Sequence, residues 1–189
     1  LKLPDEILLI LDLDETLIHA TRENAETAPD AEVFSYRVFK RPHLDEFLYS
    51  VSRYFKLAIW STASEDYLGR IISEIFPKNI QFEFVWGVSK ATLRSVKQTG
   101  VSSDNAATED LYVKRLKKVK SLGFSLEKTL MVDDSPDKLM DNYGNAIYVK
   151  PFKGDPADDE LLHLEKYLLR LKDSDNVRMI EKRNWKINQ

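Results

Sequence analysis

The chain alternates short apolar runs with amphipathic and polar stretches. Ile7-Leu8-Leu9-Ile10-Leu11 is apolar at every position, the pattern of a strand buried on both faces of a parallel sheet. Lys56–Trp60 and Thr129–Val132 read the same way, and Ala146–Val149 reads as the last core strand. Val33–Phe39 alternates enough for a short strand, and Gln81–Trp86, bounded by Gly87, reads as an edge strand. Helices fill the intervals. Pro42 opens one from His43 to about Tyr54, with Leu44, Phe47, Leu48, Val51 and Phe55 on one face. Ser64 N-caps a second, running to about Phe76, with Glu65 and Asp66 in its first turn. A basic amphipathic helix is predicted over Leu111–Leu122, closed by Gly123. Another is predicted from Ser135-Pro136 to near Gly144, and a last one after Asp155-Pro156 to about Lys172. Residues 20–32 are polar and read as a loop, and residues 88–107 have no period.

Repeated strand–helix units predict an α/β fold with a central parallel sheet. Residues 1–189 read as one domain, with 79–107 as a small inserted hairpin or cap. In such sheets ligands bind beyond the carboxyl ends of the strands, so the residues that follow each apolar run carry the chemistry. They are Asp12-Leu13-Asp14-Glu15-Thr16, Ser61-Thr62 and Asp133-Asp134-Ser135. Carboxylates gathered at one sheet edge repel one another unless a cation joins them, and oxygen ligands of this kind suit Mg²⁺. The plainer reading makes each Asp a cap for the element that follows it. That reading suits Asp134 and Ser135, which precede Pro136, and suits Asp12 poorly, because Asp12 directly ends a buried strand.

Composition removes several alternatives. The chain has no Cys, which excludes a thiolate nucleophile, a disulfide framework and Cys-based metal sites. His19, His43 and His163 stand too far apart for an HExxH zinc site. The 6 Gly are scattered, so neither GxGxxG nor GxxxxGK[ST] is present, and phosphate must be held without a glycine-rich loop. Net charge is −3, which disfavours an extended nucleic-acid track. No apolar run near the start is long enough for a signal peptide or a membrane span, and an intracellular, cytoplasmic location is expected, or nuclear in a eukaryote.

Asp12-Leu13-Asp14-Glu15-Thr16 resembles the DxDx[TV] signature of the haloacid dehalogenase superfamily. DLDETL, KRPH at 40–43, Thr62-Ala63-Ser64, Tyr112-Val113-Lys114, Asp133-Asp134-Ser135-Pro136 and Asn145-Ala146 follow in the order seen in the NLI-interacting-factor family, which contains the small RNA polymerase II carboxy-terminal-domain phosphatases. The resemblance covers nearly all of the chain except about residues 79–107. It implies a Rossmann-like three-layer fold and a Mg²⁺-dependent phosphomonoesterase. It implies Asp12 as nucleophile, forming an aspartyl-phosphate, and Asp14 as general acid and then base. Thr16 is implied as a brace of the loop and a phosphate-site residue, Thr62 as a donor to the phosphoryl oxygens, and Lys114 as the cation opposite them. The implied metal residues are Asp12, Asp14 (through its backbone carbonyl), Asp134 directly, and Asp133 nearby, through water or by holding Lys114. The chain departs from the family in one motif, carrying Asp-Asp-Ser-Pro where the small polymerase-tail phosphatases usually carry Asp-Asn-Ser-Pro.

Lys114 shares its segment with Arg115, Lys117, Lys118 and Lys120, any of which suits a solvated face. Its place near a helix start, where a cation opposes the dipole, and its Tyr-Val-Lys context single it out. Ser61 adjoins Thr62, and sheet alternation lets only one of them face the site. A small cap leaves the site open, which suits a phosphorylated Ser or Thr in a protein segment. Lys90, Arg94 and Lys97 in the insert suit an anionic substrate, or form an ordinary solvated loop. A nucleic-acid-end or small-molecule phosphatase and a non-enzymatic phosphoprotein-binding scaffold remain as alternative functions.

Overall fold

The computed structural model describes residues 6–23, 27–97 and 108–187. Its centre is a sheet of β1 (Ile7–Leu11), β5 (Phe55–Trp60), β6 (Phe82–Trp86), β9 (Thr129–Asp133) and β10 (Ala146–Tyr148). The spatial order is β10-β9-β1-β5-β6, with every pairing parallel. The all-apolar strands take the middle because both of their faces are covered. Ile7, Leu9 and Leu11 point to α1 (Leu44–Val51), α2 (Glu65–Ile75) and α3 (Glu160–Leu171). Leu8 and Ile10 point the other way, to Leu116, Val119 and Leu139. The three layers are therefore unequal. One outer layer is α-helical, and the other is made largely of 3₁₀ turns.

That second layer departs from the sequence reading. Leu111 and Val113 belong to a strand, β8 (Thr108–Val113), antiparallel to β7 (Thr92–Lys97). Only Leu116–Leu122 is helical, and it is 3₁₀. Leu116 and Val119 are the residues it buries, and apolar positions three apart serve a 3₁₀ turn as well as an α-helix. Gly123 closes it at φ 88°, as a C-terminal glycine does. Likewise 135–144 forms two 3₁₀ turns, Pro136–Leu139 and Tyr143–Asn145. The last helix begins at Glu160, because Asp155 accepts from the Ala157 N–H in a turn of its own.

The polar stretch at 20–32 is only partly loop. β2 (Ile18–Thr21), β3 (Ala31–Val33) and β4 (Tyr36–Lys40) form a small antiparallel sheet in the order β2-β4-β3. In the 79–107 segment, Phe82–Trp86 is an edge strand of the central sheet and the hairpin begins only at Thr92. Residues 98–107 lie outside the described residues. Arg94 of the hairpin is engaged by Asp141 at 3.2 Å, and the Lys97 side chain lies outside the described residues.

Arg41 locks the loop after β1 to the approach to α3. Its fully buried guanidinium forms a fork on Asp158, with Nε 2.7 Å from Oδ1 and Nη2 2.9 Å from Oδ2. It also donates to the carbonyls of Thr16 and Lys150. A bidentate pair with its remaining donors satisfied is the form in which a buried charge is tolerated.

Candidate active site

The sheet register sets the site. Leu11 lies level with Val132 of β9, so the next residues, Asp12 and Asp133, emerge side by side. The Asp12 N–H donates to the Val132 carbonyl at 2.9 Å, which extends the ladder to the carboxylate-bearing residue itself. The chain then turns sharply at Glu15, whose φ is 62°, unusual for a residue with a side chain. Contacts on every side hold this conformation. The Glu15 N–H bonds to Ile18 and its carbonyl accepts from Phe152. Its carboxylate is 2.8 Å from His19 Nδ1 and 2.9 Å from Lys153 Nζ. Strain fixed by its surroundings in this way is typical of a site that must hold one geometry.

Lys114 follows β8 directly, so it stands at a strand end and owes nothing to a helix dipole. Its N–H donates to the Lys138 carbonyl, and its carbonyl accepts from Asn142 Nδ2 at 2.6 Å. The side chain is fully buried, with Nζ 2.7 Å from Asp12 Oδ1 and 2.6 Å from Asp133 Oδ2. A second ammonium, Lys138, lies 3.3 Å from Asp12 Oδ2. Burial works to raise the Asp12 carboxyl, but Lys114 and Lys138 outweigh it and hold the group below its ordinary value. Asp133 goes the other way. Burial and the neighbouring Asp12 charge push it up to about 7, against the pull of both lysines.

Asp14 projects away from this cluster. Its Oδ1 accepts from Tyr67 Oη at 2.8 Å and its Oδ2 from Ser61 Oγ at 3.4 Å. Burial, aided by the Asp12 charge, raises its carboxyl, although the Tyr67 hydrogen bond works to lower it. Two carboxylates two residues apart are thus driven in opposite directions, the arrangement that separates a nucleophile from a proton donor. Asp14 opens onto a groove of about 620 Å³ between the start of α2 and the small β2-β4-β3 sheet. Tyr67 and Ser64 line one side, and Arg22, Phe34 and Tyr36 the other. The Arg22 guanidinium stacks on the Tyr36 ring at 4.6 Å, and Phe34 stands 68% exposed at the hairpin tip.

The remaining candidates divide. Asp12, Asp133 and Asp134 each offer an oxygen within 4.8 Å of the others, and among the described residues the buried Asp134 Oδ1 has no hydrogen-bond partner. Hard oxygen donors with an unsatisfied member fit a Mg²⁺ ion. The Asp14 side chain is not in that set. As a cap, it is Asp133 that serves, accepting from the Ser135 N–H at 2.9 Å. Ser61 takes the contact with Asp14, while among the described residues no hydrogen bond ties half-buried Thr62 to the cluster. Thr16 is wholly buried and its hydroxyl has no hydrogen-bond partner among the described residues, so its backbone carbonyl, bonded to Arg41, does the bracing. Lys138, Tyr67 and Asn142 escape the sequence reading. Lys138 left one signal, a cation four residues after Asp134, and Tyr67 and Asn142 left none.

Known proteins resemble this chain in sequence and in fold. Residues 7–178 match the model of the NLI interacting factor-like phosphatase family. The chain is 31% identical to CTD small phosphatase-like protein 2 of Dictyostelium discoideum, over 97% of this chain and 30% of that protein. It spans 30% to 40% of the length of the first curated relatives it matches. In structure it resembles fission yeast Fcp1-R271A, an RNA polymerase II CTD phosphatase, with a TM-score of 0.67 at 16% identity over 93% of this chain and 69% of that one. It also resembles a haloacid dehalogenase-like family hydrolase from Xanthomonas campestris, with a TM-score of 0.55 at 10% identity over 88% of this chain and 96% of that one. The fold is thus of the haloacid dehalogenase type.

Proposed function

The chain belongs to the NLI interacting factor-like phosphatase family, and from that premise we propose that it is a Mg²⁺-dependent phosphomonoesterase that acts on phosphorylated Ser or Thr in a protein segment through Asp12. The observation that carries this reading is the opposed pair at the end of β1. Asp12 is held ionised between two ammonium groups, and Asp14 is held toward its protonated form beside an open groove.

In the first step an Asp12 carboxylate oxygen attacks phosphorus and the bond from phosphorus to the seryl or threonyl oxygen breaks. Asp14 gives its proton to that leaving oxygen. In the second step Asp14, now a carboxylate, takes a proton from water as the water oxygen attacks the aspartyl-phosphate. Inorganic phosphate leaves and Asp12 and Asp14 return to their starting states. Asp12, Asp133 and Asp134 would hold Mg²⁺, which would supply positive charge against the repulsion between the Asp12 carboxylate and the phosphate. Lys114 adds charge on the Asp12 side, and Asp133 fixes it there through the 2.6 Å contact. The hydroxyl of Thr62 is assigned to the phosphoryl oxygens, and Thr16 holds the loop through its backbone.

The groove supports a peptide over a sugar or nucleotide. It lies beside Asp14, is lined by Phe34, Tyr36 and Tyr67 and is open to solvent, which suits the side chains that flank a phosphorylated residue in a protein segment. The test is hydrolysis of a phosphoserine peptide, a 5′-phosphorylated oligonucleotide and a sugar phosphate with Mg²⁺. Faster turnover of the peptide is expected. Preference for the oligonucleotide makes the chain a nucleic-acid-end phosphatase instead, and tight peptide binding without turnover makes it a scaffold.

Tyr67 tunes the proton donor. Its hydrogen bond favours the Asp14 carboxylate, so Tyr67→Phe raises the Asp14 carboxyl further and keeps it protonated to higher pH. The alkaline limb of the kcat/KM profile then shifts upward by roughly one to two units, the worth of one hydrogen bond to a charged group. An unmoved limb with lowered kcat assigns Tyr67 to groove shape alone.

A further inference from the structure

The carboxylates offered to a divalent cation already have a cation among them. Lys138 Nζ lies 3.3 Å from Asp12 Oδ2, 3.9 Å from Asp133 Oδ1 and 3.9 Å from Asp134 Oδ1. Each of these three residues also contributes to the group whose ligand atoms fall within 4.8 Å of one another. Lys114 uses the opposite oxygens, Asp12 Oδ1 and Asp133 Oδ2. The two lysines therefore divide the cluster, and Lys138 takes the side that includes Asp134.

The lysines differ in freedom. Lys114 is wholly buried, and Asn142 and Lys138 bond its backbone. The Lys138 side chain keeps 22% of its exposure, sits on the four-residue turn Pro136–Leu139, and makes no contact shorter than 3.3 Å with the carboxylates. A lysine stem has enough rotatable bonds to swing its ammonium into solvent. A divalent ion and an ammonium cannot share one set of oxygens a few ångströms wide, because their repulsion there is several kcal/mol even at an effective dielectric of about 20.

We propose that Lys138 is a tethered occupant of the divalent-cation position, neutralising Asp12, Asp133 and Asp134 while no metal is bound and swinging out when one enters. This inference rests on the metal-binding part of the proposed function. It makes the affinity for Mg²⁺ a competition inside the chain, since the metal binds only to the fraction of molecules whose Lys138 has left.

Calorimetric titration of Mg²⁺ into wild type, Lys138→Met and Lys138→Arg tests it, together with thermal melts in EDTA. Lys138→Met is expected to bind Mg²⁺ at least about ten-fold more tightly than wild type and to melt at a lower temperature in EDTA. Lys138→Arg keeps the charge and is expected to bind no more tightly than wild type. Unchanged or weaker binding by Lys138→Met, with wild type still binding, overturns the proposal and leaves the phosphatase reading intact. Lys138 is then a contact for the phosphoryl group, and its loss raises KM. Absence of Mg²⁺ binding in every protein overturns the metal assignment and this inference with it. If Lys138→Met does not fold in EDTA, recovery of a cooperative melt on adding Mg²⁺ supports the proposal, and failure to recover overturns it.

Discussion

Asp12→Asn is expected to lower turnover of a phosphopeptide by about 10⁴-fold or more, the scale seen when a catalytic nucleophile is removed. The substitution keeps the shape of the side chain and leaves Lys114 its 2.6 Å contact with Asp133, so folding and substrate binding should survive. A stopped-flow or radiolabel assay for phosphate release reads the rate, and a peptide-binding measurement confirms that the protein is intact. The neutral amide also lacks the charge that repels a phosphate dianion, so Asp12→Asn should bind the phosphopeptide at least as tightly as wild type. Turnover within ten-fold of wild type would remove Asp12 from the role of nucleophile.

Lys114→Met has the second large effect, and it acts on both stability and rate. It withdraws the ammonium from two carboxylates that are themselves buried. Leaving half of a buried ion cluster unpaired costs about 3–5 kcal/mol, and loss of the charge opposite the phosphoryl group lowers kcat by roughly 10²–10³. The stability loss carries a pH signature. Burial and the neighbouring Asp12 charge push the Asp133 carboxyl up to about 7 in the folded protein. The folded state therefore holds that proton more firmly than the unfolded chain does, and the group favours folding at low pH and less so as pH rises through 7. Without Lys114 both the Asp12 and the Asp133 carboxyls rise, so the penalty should be smallest in acid, where both are protonated, and should grow as pH rises through 7. Urea melts across that range check it. A penalty independent of pH would mean that Lys114 contributes packing alone.

Much of the site was legible because strand and chemistry share a boundary. An apolar run that stops at an aspartate announces both a buried strand and the edge where its ligands lie, and Ile7–Leu11 followed by Asp12 is such a case. Thr129–Asp133 followed by Asp134 is another. The motif singles out Lys114 even though local periodicity predicts a helix where the strand β8 stands. Its neighbours Leu111, Leu116 and Val119 suit a helical stripe, and the pairing of β8 with β7 leaves no mark on local periodicity. Lys138 and Tyr67 were missed for a different reason. Lys138 meets Asp12 across 126 residues of chain and Tyr67 meets Asp14 across 53. Contacts of that kind are made by the fold and have no local pattern to betray them. No local pattern predicts that Ser61 reaches Asp14 either, since its neighbour Thr62 carries the same hydroxyl.

The alignment of Leu11 with Val132 has a bearing on how such a protein tolerates insertions and deletions. Loops at the far end of the sheet can lengthen or shorten without moving a single carboxylate. Removing one residue from within β1 is another matter. The residues after the gap would slide back by one position. Asp12 would then stand level with Val132 in the place of buried Leu11, and Leu13 would stand beside Asp133. A frame error in this strand therefore strikes the core and the reaction together, and a screen for folded protein and a screen for activity would reject the same variants.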